Sequence, residues 1–510
     1  MGEEVQEVII QINDQPFPTI LDLHTLYKSS TLIRGATYKY TKPSQNLQLP
    51  NLLESPIGEI IVSIEGRGDN AEPDNPQDAW LPITASRNGS AYYAAFHSLN
   101  SGIGFQALML PVAFSVLGWT WGIISLSMAF VWQYYTKWLL IQLHESVPGT
   151  RFNRYLHLSM AAFGARTGKL LGLFPIMYLS GGACVMLILN GGGSMRLFIK
   201  TVCGFTCKSQ PLTTIECYFV FICMAIALAQ RPNLNSIAWI SFIGAITAVL
   251  YCILLWAIPL SKSRLIGISY DSVKPKLDIA GDFDTFAALG IIAFAFRGHN
   301  LVLEIQATLP SSENYPSHVP MMRAVNFAYL VIALCVLPLA VAGYWAYGDK
   351  IPANGMLTAL HTLHEHDTSK FLLGLTSLLV VIHSLTAFQI YAMPAFDNLE
   401  FVYTSKKMKP CSRWIRAGFR IFFGCLTFFI AVAIPFIRNL TGVIGGIALP
   451  VTLAYPCFMW IAIKKPERFS ALWCFNLVLG SLGVVLSIFV FAGGIKSLVE
   501  PGIDVRFFKP

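Results

Sequence analysis

Residues 293–306 read AFAFRGHNLVLEIQ. Arg297, His299 and Glu304 stand here inside an apolar run, 285–309, that is long enough to cross a bilayer as a helix. Gly298, the weakest helix former after proline, sits among them. An unpaired arginine near the bilayer centre costs from about 2.5 to more than 10 kcal/mol. The stretch therefore reads as a membrane helix that is interrupted, with the interruption turned toward a cavity or a partner and away from lipid.

The rest of the chain supports lipid as its solvent. Only 13% of the 510 residues are charged, 54% are apolar and the mean hydropathy is +0.56, whereas ordinary soluble domains carry about 25% charged residues. The net charge of +8 is spread over short loops. No basic stripe interleaved with aromatics appears, which excludes nucleic acid as an expected partner. Most of the eleven cysteines lie in apolar runs and read as small buried hydrophobes. CGFTC, Cys203 to Cys207, lies between two runs and reads as a disulfide candidate on an oxidising side of the membrane. Neither a metal site nor a cofactor is expected. The start, MGEEVQEVIIQINDQP, lacks a basic segment followed by an apolar core, so the first span is expected to act as the insertion signal.

Residues 1–88 are polar and rich in Pro, Asn, Asp and Ser, and read as a disordered cytosolic tail. Apolar runs follow near 91–115, 119–142, 169–194, 213–230, 236–258, 285–309, 323–346, 371–395, 417–437, 440–462 and 471–493. None alternates as a barrel strand would, so the expected fold class is all-α integral membrane, with about eleven transmembrane helices over 89–493 and a short tail, 494–510. TSKKMKPCSRWIRAGFR (404–420) and KKPER (464–468) concentrate Lys and Arg. The positive-inside rule then puts the N-terminal tail in the cytosol and the C-terminus outside.

A second interrupted span matches the first. AYYAAFHSLNSGIGFQALMLPVAFSVLGW (91–119) is small and polar from Ser98 to Gly104. The two interruptions lie five spans apart, the pattern of an inverted-repeat transporter with discontinuous first and sixth helices and a five-plus-five core. Unwinding a helix frees N–H groups at the start of one half and C=O groups at the end of the other. The N–H end suits a carboxylate; the carbonyls suit an ammonium. A zwitterionic amino acid supplies both. The candidate substrate-binding residues are Ser101, Gly102, Gly104 and Gln106 in the first span, and Phe296, Arg297, Gly298 and Asn300 in the sixth. The carboxylate is expected against the backbone at 102–106, and the amino group near the carbonyls at 296–298. The glycines of GGG (191–193) and SGG (180–182) read instead as helix-packing residues.

These residues also carry a likeness. WLPITASRNGSAYYAAFHSLNSGIG (80–104), LPVAFSVLGW (110–119), GHNLVLEIQATLPS (298–311), MMRAVNFAYLVIALCVLPLAVAGYWAYGD (321–349) and YAMPAFDNLE (391–400) resemble the plant lysine/histidine transporter-like branch of the amino acid/auxin permease family. The resemblance implies eleven helices, a five-plus-five inverted core, proton-coupled amino acid uptake at the plasma membrane, and substrate contact at the first and sixth breaks. Two departures stand out. The Gly-Ala-Gly usual in the family's first helix reads GFQ (104–106) here, and the small residue usual before Gly-His-Asn is Arg297.

Glu304 is the sharpest candidate proton carrier, since a carboxyl in low dielectric titrates near neutral pH; the structural alternative is a hydrogen bond to a neighbouring helix end. His299, with His97 and His383, is a candidate relay or a satisfied core histidine. Arg297 is expected to bind an anionic substrate group, to replace a coupling cation, or to hold the break in shape. HTLHEHD (361–367) reads as a solvated loop. The expected partners are an amino acid substrate, protons and the bilayer. The alternatives are a nutrient sensor on a transporter fold and an auxin-like indole carrier. No ring of like charges suggests a channel, and no H-E-x-x-H or G-x-S-x-G suggests an enzyme.

Overall fold

The computed structural model describes residues 7–10, 60–63, 76–203, 212–262, 265–270, 279–434 and 441–499. In the N-terminal unit, Met1–Glu72, two strands pair antiparallel, β1 (Glu7–Ile10) and β2 (Ile60–Ser63), with Glu7 opposite Ser63. EVII and IIVS are rich in β-branched residues, which favour pairing; this departs from the expected unstructured tail. The other end of that tail departs too. Pro76–Trp80 forms a 3-10 turn, and Leu81 and Ile83 behind it are buried. The apolar side chains of WLPI make this stretch a strap on the helical unit.

The helical unit is all-α among its described residues. Its helices are α1 (Ala91–Gly102), α2 (Leu110–Leu143), α3 (Tyr155–Phe163), α4 (Ala165–Cys203), α5 (Thr214–Leu228), α6 (Ala238–Leu260), α7 (Ile279–Ala293) and α8 (His299–Ala307). There follow α9 (His318–Tyr347), α10 (Met356–Leu363), α11 (Lys370–Lys407), α12 (Arg413–Ala433), α13 (Thr441–Leu453), α14 (Tyr455–Lys464) and α15 (Ala471–Val499). Eight helical stretches of the described residues are long and apolar enough to cross a membrane; Thr214–Leu228 and Asp284–Ala293 are shorter apolar helices. The longest of the eight, Ala91–Leu143, is divided by Gly118, whose φ of 71° and ψ of 179° break the helix. The division falls in the gap expected between the first two apolar runs. The last helix continues to Val499, beyond the expected end at 493.

Local chemistry explains where the helices begin. Ser90, Ser369 and Ser412 cap α1, α11 and α12 by accepting the N–H of Tyr93, Leu372 and Ile415. Thr213 and Glu216 close a reciprocal capping box on α5. At 1.5 Å per residue α4 is about 58 Å long, so it projects beyond a hydrocarbon core of about 30 Å. Apolar side chains such as Trp239, Leu334 and Phe422 stay exposed on the bundle surface, as lipid contact requires. Of the glycine runs, GGG packs as expected, with Gly191 and Gly192 against the rings of Phe221 and Tyr218. Gly181 has open space beside it, so SGG is not a packing motif throughout.

The loop 361–367 is corrected. His361 and His364 are buried: His361 Nε2 lies 2.9 Å from Ser377 Oγ, and His364 packs on the Tyr347 ring. α10 folds back onto α11 and draws both imidazoles inward. Cys203 is disulfide-bonded; Cys207 lies outside the described residues.

Candidate functional site

Both expected breaks are present. α1 stops at Gly102; Ile103 and Gly104 are extended, and a 3-10 turn, Phe105–Met109, leads into α2. α7 stops at Ala293, residues 294–298 are non-helical, and α8 starts after Gly298. Gly298 has φ 105°, a left-handed conformation that a side chain would strain. The breaks meet. A Cβ placed on Gly104 would collide with the Arg297 guanidinium, and one on Gly298 would sit 3.4 Å from Ser101 Oγ. Glycine at 104 is thus what lets the sixth-span arginine lie against the first-span backbone.

The four half-helix ends at the breaks are treated unequally. Their carbonyl ends are filled by the protein. Tyr391 of α11 donates its hydroxyl to the Ser101 carbonyl at 2.7 Å. Gln133 of α2 donates Nε2 to the Ala293 carbonyl, the last of α7, at 2.6 Å. Lys137, one turn on, donates Nζ to the Arg297 carbonyl at 3.3 Å. The N–H ends are not filled in this way. Neither Gly104, before the 3-10 turn, nor Gly298, before α8, is accompanied by a side-chain cap. These ends carry the positive pole of their segments.

Of the carbonyls at 296–298, expected to lie near a substrate ammonium, that of Arg297 is held by Lys137 and that of Gly298 accepts the Leu301 N–H. Gln133, Thr136 and Lys137, spaced i, i+3 and i+4, share one face of α2. Thr136 Oγ1 and the Gln133 carbonyl lie 3.1 and 3.0 Å from His299 Nε2. The signal is QYYTK (133–137) inside an apolar run, which carries no helix breaker to mark it as a site.

The other candidates separate into lining and supporting groups. Arg297, 7% exposed, lies with its guanidinium carbon 4.7 Å from the Tyr391 ring centroid and 5.3 Å from that of Phe105. Its Nε and Nη2 have no hydrogen-bond partner in the protein, and the same is true of Asn300 Nδ2, Gln106 Oε1 and Asn100 Nδ2. Asn100 Oδ1 accepts from Thr386. Ser101 turns its hydroxyl back to the His97 carbonyl at 2.8 Å, and Gly102 packs against Ile332, so both shape α1. Phe296 is buried against Phe130 and Tyr329 with ring centroids at 5.3 and 6.5 Å; its ring belongs to the core. His97 and His383 bond through Nδ1 to Ser241 Oγ and the Gly244 carbonyl. Lys137 and Arg297 take part in none of the ion pairs among the described residues.

Glu304 stands apart from the breaks. Its Oε1 accepts the Tyr155 N–H at 3.3 Å at the start of α3, the helix-end bond set out above as the alternative to proton carriage. Arg154, the residue before, pairs with Asp397 of α11 at 2.5 Å. Asp397 also receives the Ile83 N–H of the strap at 3.3 Å. Arg416 bridges Glu400 at 2.8 Å and the Trp80 carbonyl at 2.6 Å. Asp397 and Glu400, both from YAMPAFDNLE, thus tie α3, α11, α12 and the strap into one network on the side of the N-terminal tail.

Comparison with known proteins agrees with this architecture. Residues 87–498 match the family described as transmembrane amino acid transporter protein. The chain is 53% identical over 482 residues to lysine histidine transporter-like 8 of Arabidopsis thaliana, covering 92% of this chain and 93% of that protein. It is 45% identical to lysine histidine transporter-like 7 of the same plant, covering 85% and 90%. Among solved structures, a nucleobase-cation-symport-1 family transporter in a closed conformation superposes with a TM-score of 0.51 at 12% identity, over 83% of this chain and 95% of that one; this is a likeness of fold. The chain is a multi-pass, all-α membrane protein, and it belongs to the transmembrane amino acid transporter family.

Proposed function

We propose that the protein is a secondary active transporter of amino acids, working by alternating access across eleven membrane passages arranged as a five-plus-five inverted repeat plus one. The observation that carries this reading is the meeting of two broken helices at Gly104 and Arg297, with unpaired polar atoms from both spans around the contact. Such an arrangement binds a small polar solute in the middle of the membrane. The substrate carboxylate sits against the N–H groups that follow Gly104, with Arg297 and Asn300 beside it. The ionic network of Arg154, Asp397, Glu400 and Arg416 closes the tail side, which this reading places in the cytosol at the plasma membrane. The relatives' names, lysine histidine transporter-like, support amino acids as cargo.

Coupling is to protons in this reading. Glu304 joins α8, the second half of the broken sixth span, to the start of α3 beside Arg154. Gain or loss of its charge there acts on both the break and the closed network. Uptake of radiolabelled amino acids into proteoliposomes, with and without an imposed pH gradient, tests the proposal. Uptake accelerated by the gradient, and no longer accelerated in Glu304→Gln, is the expected result. Binding without flux would favour a sensor, and flat uptake of every amino acid would overturn the transport reading.

A further inference from the structure

The unequal treatment of the helix ends bears on which amino acids fit. A zwitterion would ordinarily use both ends of a break, its carboxylate on the N–H end and its ammonium on the carbonyl end. Here the last carbonyl of α7 is held by Gln133, the Arg297 carbonyl by Lys137, and the Ser101 carbonyl of α1 by Tyr391. The capping residues Gly104 and Gly298 bring no side-chain acceptor of their own to the N–H ends. Beside Gly104 stand the unpaired Nη2 of Arg297 and Oε1 of Gln106; Arg297 Nε is unpaired too, and Gln133 Oε1 is a further unpaired acceptor on α2. Two buried cations, Arg297 and Lys137, are 7% and 3% exposed and belong to no ion pair among the described residues. Glu304, Asp397 and Glu400 are committed to Tyr155, Arg154 and Arg416. A buried guanidinium with unpaired donors and no acid beside it lowers its energy most by taking an anionic ligand.

We propose that the protein selects net-anionic amino acids, those with a second carboxylate, because Arg297 supplies buried positive charge with unpaired donors and no acid beside it, where the Ser101, Ala293 and Arg297 carbonyls are already held by side chains. One carboxylate lies on the N–H end after Gly104. The side-chain carboxylate pairs with the Arg297 guanidinium, and Gln106 Oε1 receives the ammonium. Lysine is excluded, since its second ammonium would meet Arg297 with no acceptor to separate them. The relatives' names point to lysine and histidine, and the arginine at 297 is where this chain departs from the small residue expected before Gly-His-Asn.

The inference rests on the transport reading for its cargo class, but binding tests it separately from flux. The full chain in detergent is heated with glutamate, with glutamine as the near-isosteric neutral control, and with lysine; uptake into proteoliposomes is measured in parallel. Glutamate is expected to stabilise the protein at concentrations about tenfold below glutamine, the discrimination of one charge-assisted hydrogen-bonded pair, and lysine is expected to have no effect. Arg297→Gln should bring glutamate and glutamine together, and Arg297→Lys should keep part of the preference. Glutamate binding without flux would sustain this inference and remove the transport reading. Equal or stronger stabilisation by glutamine or lysine, or by none of the three, would overturn the inference even if some other amino acid is carried.

Discussion

Two sets of buried charges divide the molecule. On the tail side Arg154 faces Asp397 at 2.5 Å and Arg416 faces Glu400 at 2.8 Å, four side chains from two helices and the loop before α3, the first pair 243 residues apart. At the breaks Arg297 and Lys137 are as deeply buried and have no acid. Identical chemistry therefore has opposite consequences. A buried pair whose partners are both present holds elements together, and removing one partner leaves a stranded charge. A buried charge with no acid beside it is a cost that hydrogen bonds and ring contacts only partly offset, and a ligand is its natural explanation.

The largest effect expected from this contrast is on stability. Asp397→Ala leaves Arg154 with only the more exposed Asp78 at 3.3 Å and releases the Ile83 N–H, and should destabilise the protein by about 3 kcal/mol in thermal unfolding. Arg297→Met removes a charge that has ring contacts but no acid, and should cost the ligand-free protein about 1 kcal/mol or less. Equal losses in the two variants would abolish the distinction between the regions.

A middle-sized effect tests the break itself. Gly298→Ala forces a side chain into φ 105° at a cost of about 1–2 kcal/mol. The new methyl also comes within 3.4 Å of Ser101 Oγ. The expected outcome is weaker substrate binding with the bundle still folded, read as a higher half-saturation concentration for uptake. Unchanged uptake would mean that the left-handed turn is not needed for the site.

The smallest effect concerns a third charged group, outside the membrane passages. Burial alone would raise the Glu145 carboxyl, but hydrogen bonds and charge from His144, Arg151 and Ser317 overcome it and hold the pKa down to about 2. Because the folded value is depressed, this group's stabilisation is present above the unfolded carboxylate range near 4.5 and is lost as pH falls toward 2. The carboxyl is partly solvated, so the contribution is about 1 kcal/mol or less. Glu145→Gln should flatten the acid limb of the stability curve by that amount; an unaltered acid limb would show that Ser317 and Arg151 are not held through it.

Much of this was legible in the sequence. The apolar runs foretold the helices because bilayer thickness sets their length. The breaks were foretold because Gly298 and the polar stretch 98–104 stand where lipid permits neither. Arg297, Asn300 and Gln106 were singled out for the same reason, and the structure buries all three. What escaped was the identity of the partners. Gln133 and Lys137 reach carbonyls 160 residues away, and Arg154 reaches Asp397 across 243; no local pattern encodes those distances. Nothing in the sequence therefore signals that the α2 stripe reaches the Ala293 and Arg297 carbonyls. Phe296 was drawn into the candidate site by its neighbours in sequence, although its ring points into the aromatic cluster.

The central claim is that the two breaks form one site whose open ends are N–H ends. A structure of the full chain with bound glutamate tests it most directly. The account predicts a carboxylate within hydrogen-bond distance of the backbone N–H groups that follow Gly104, and a second at the Arg297 guanidinium. A ligand whose ammonium displaces Lys137 from the Arg297 carbonyl, or one seated away from both breaks, would contradict it.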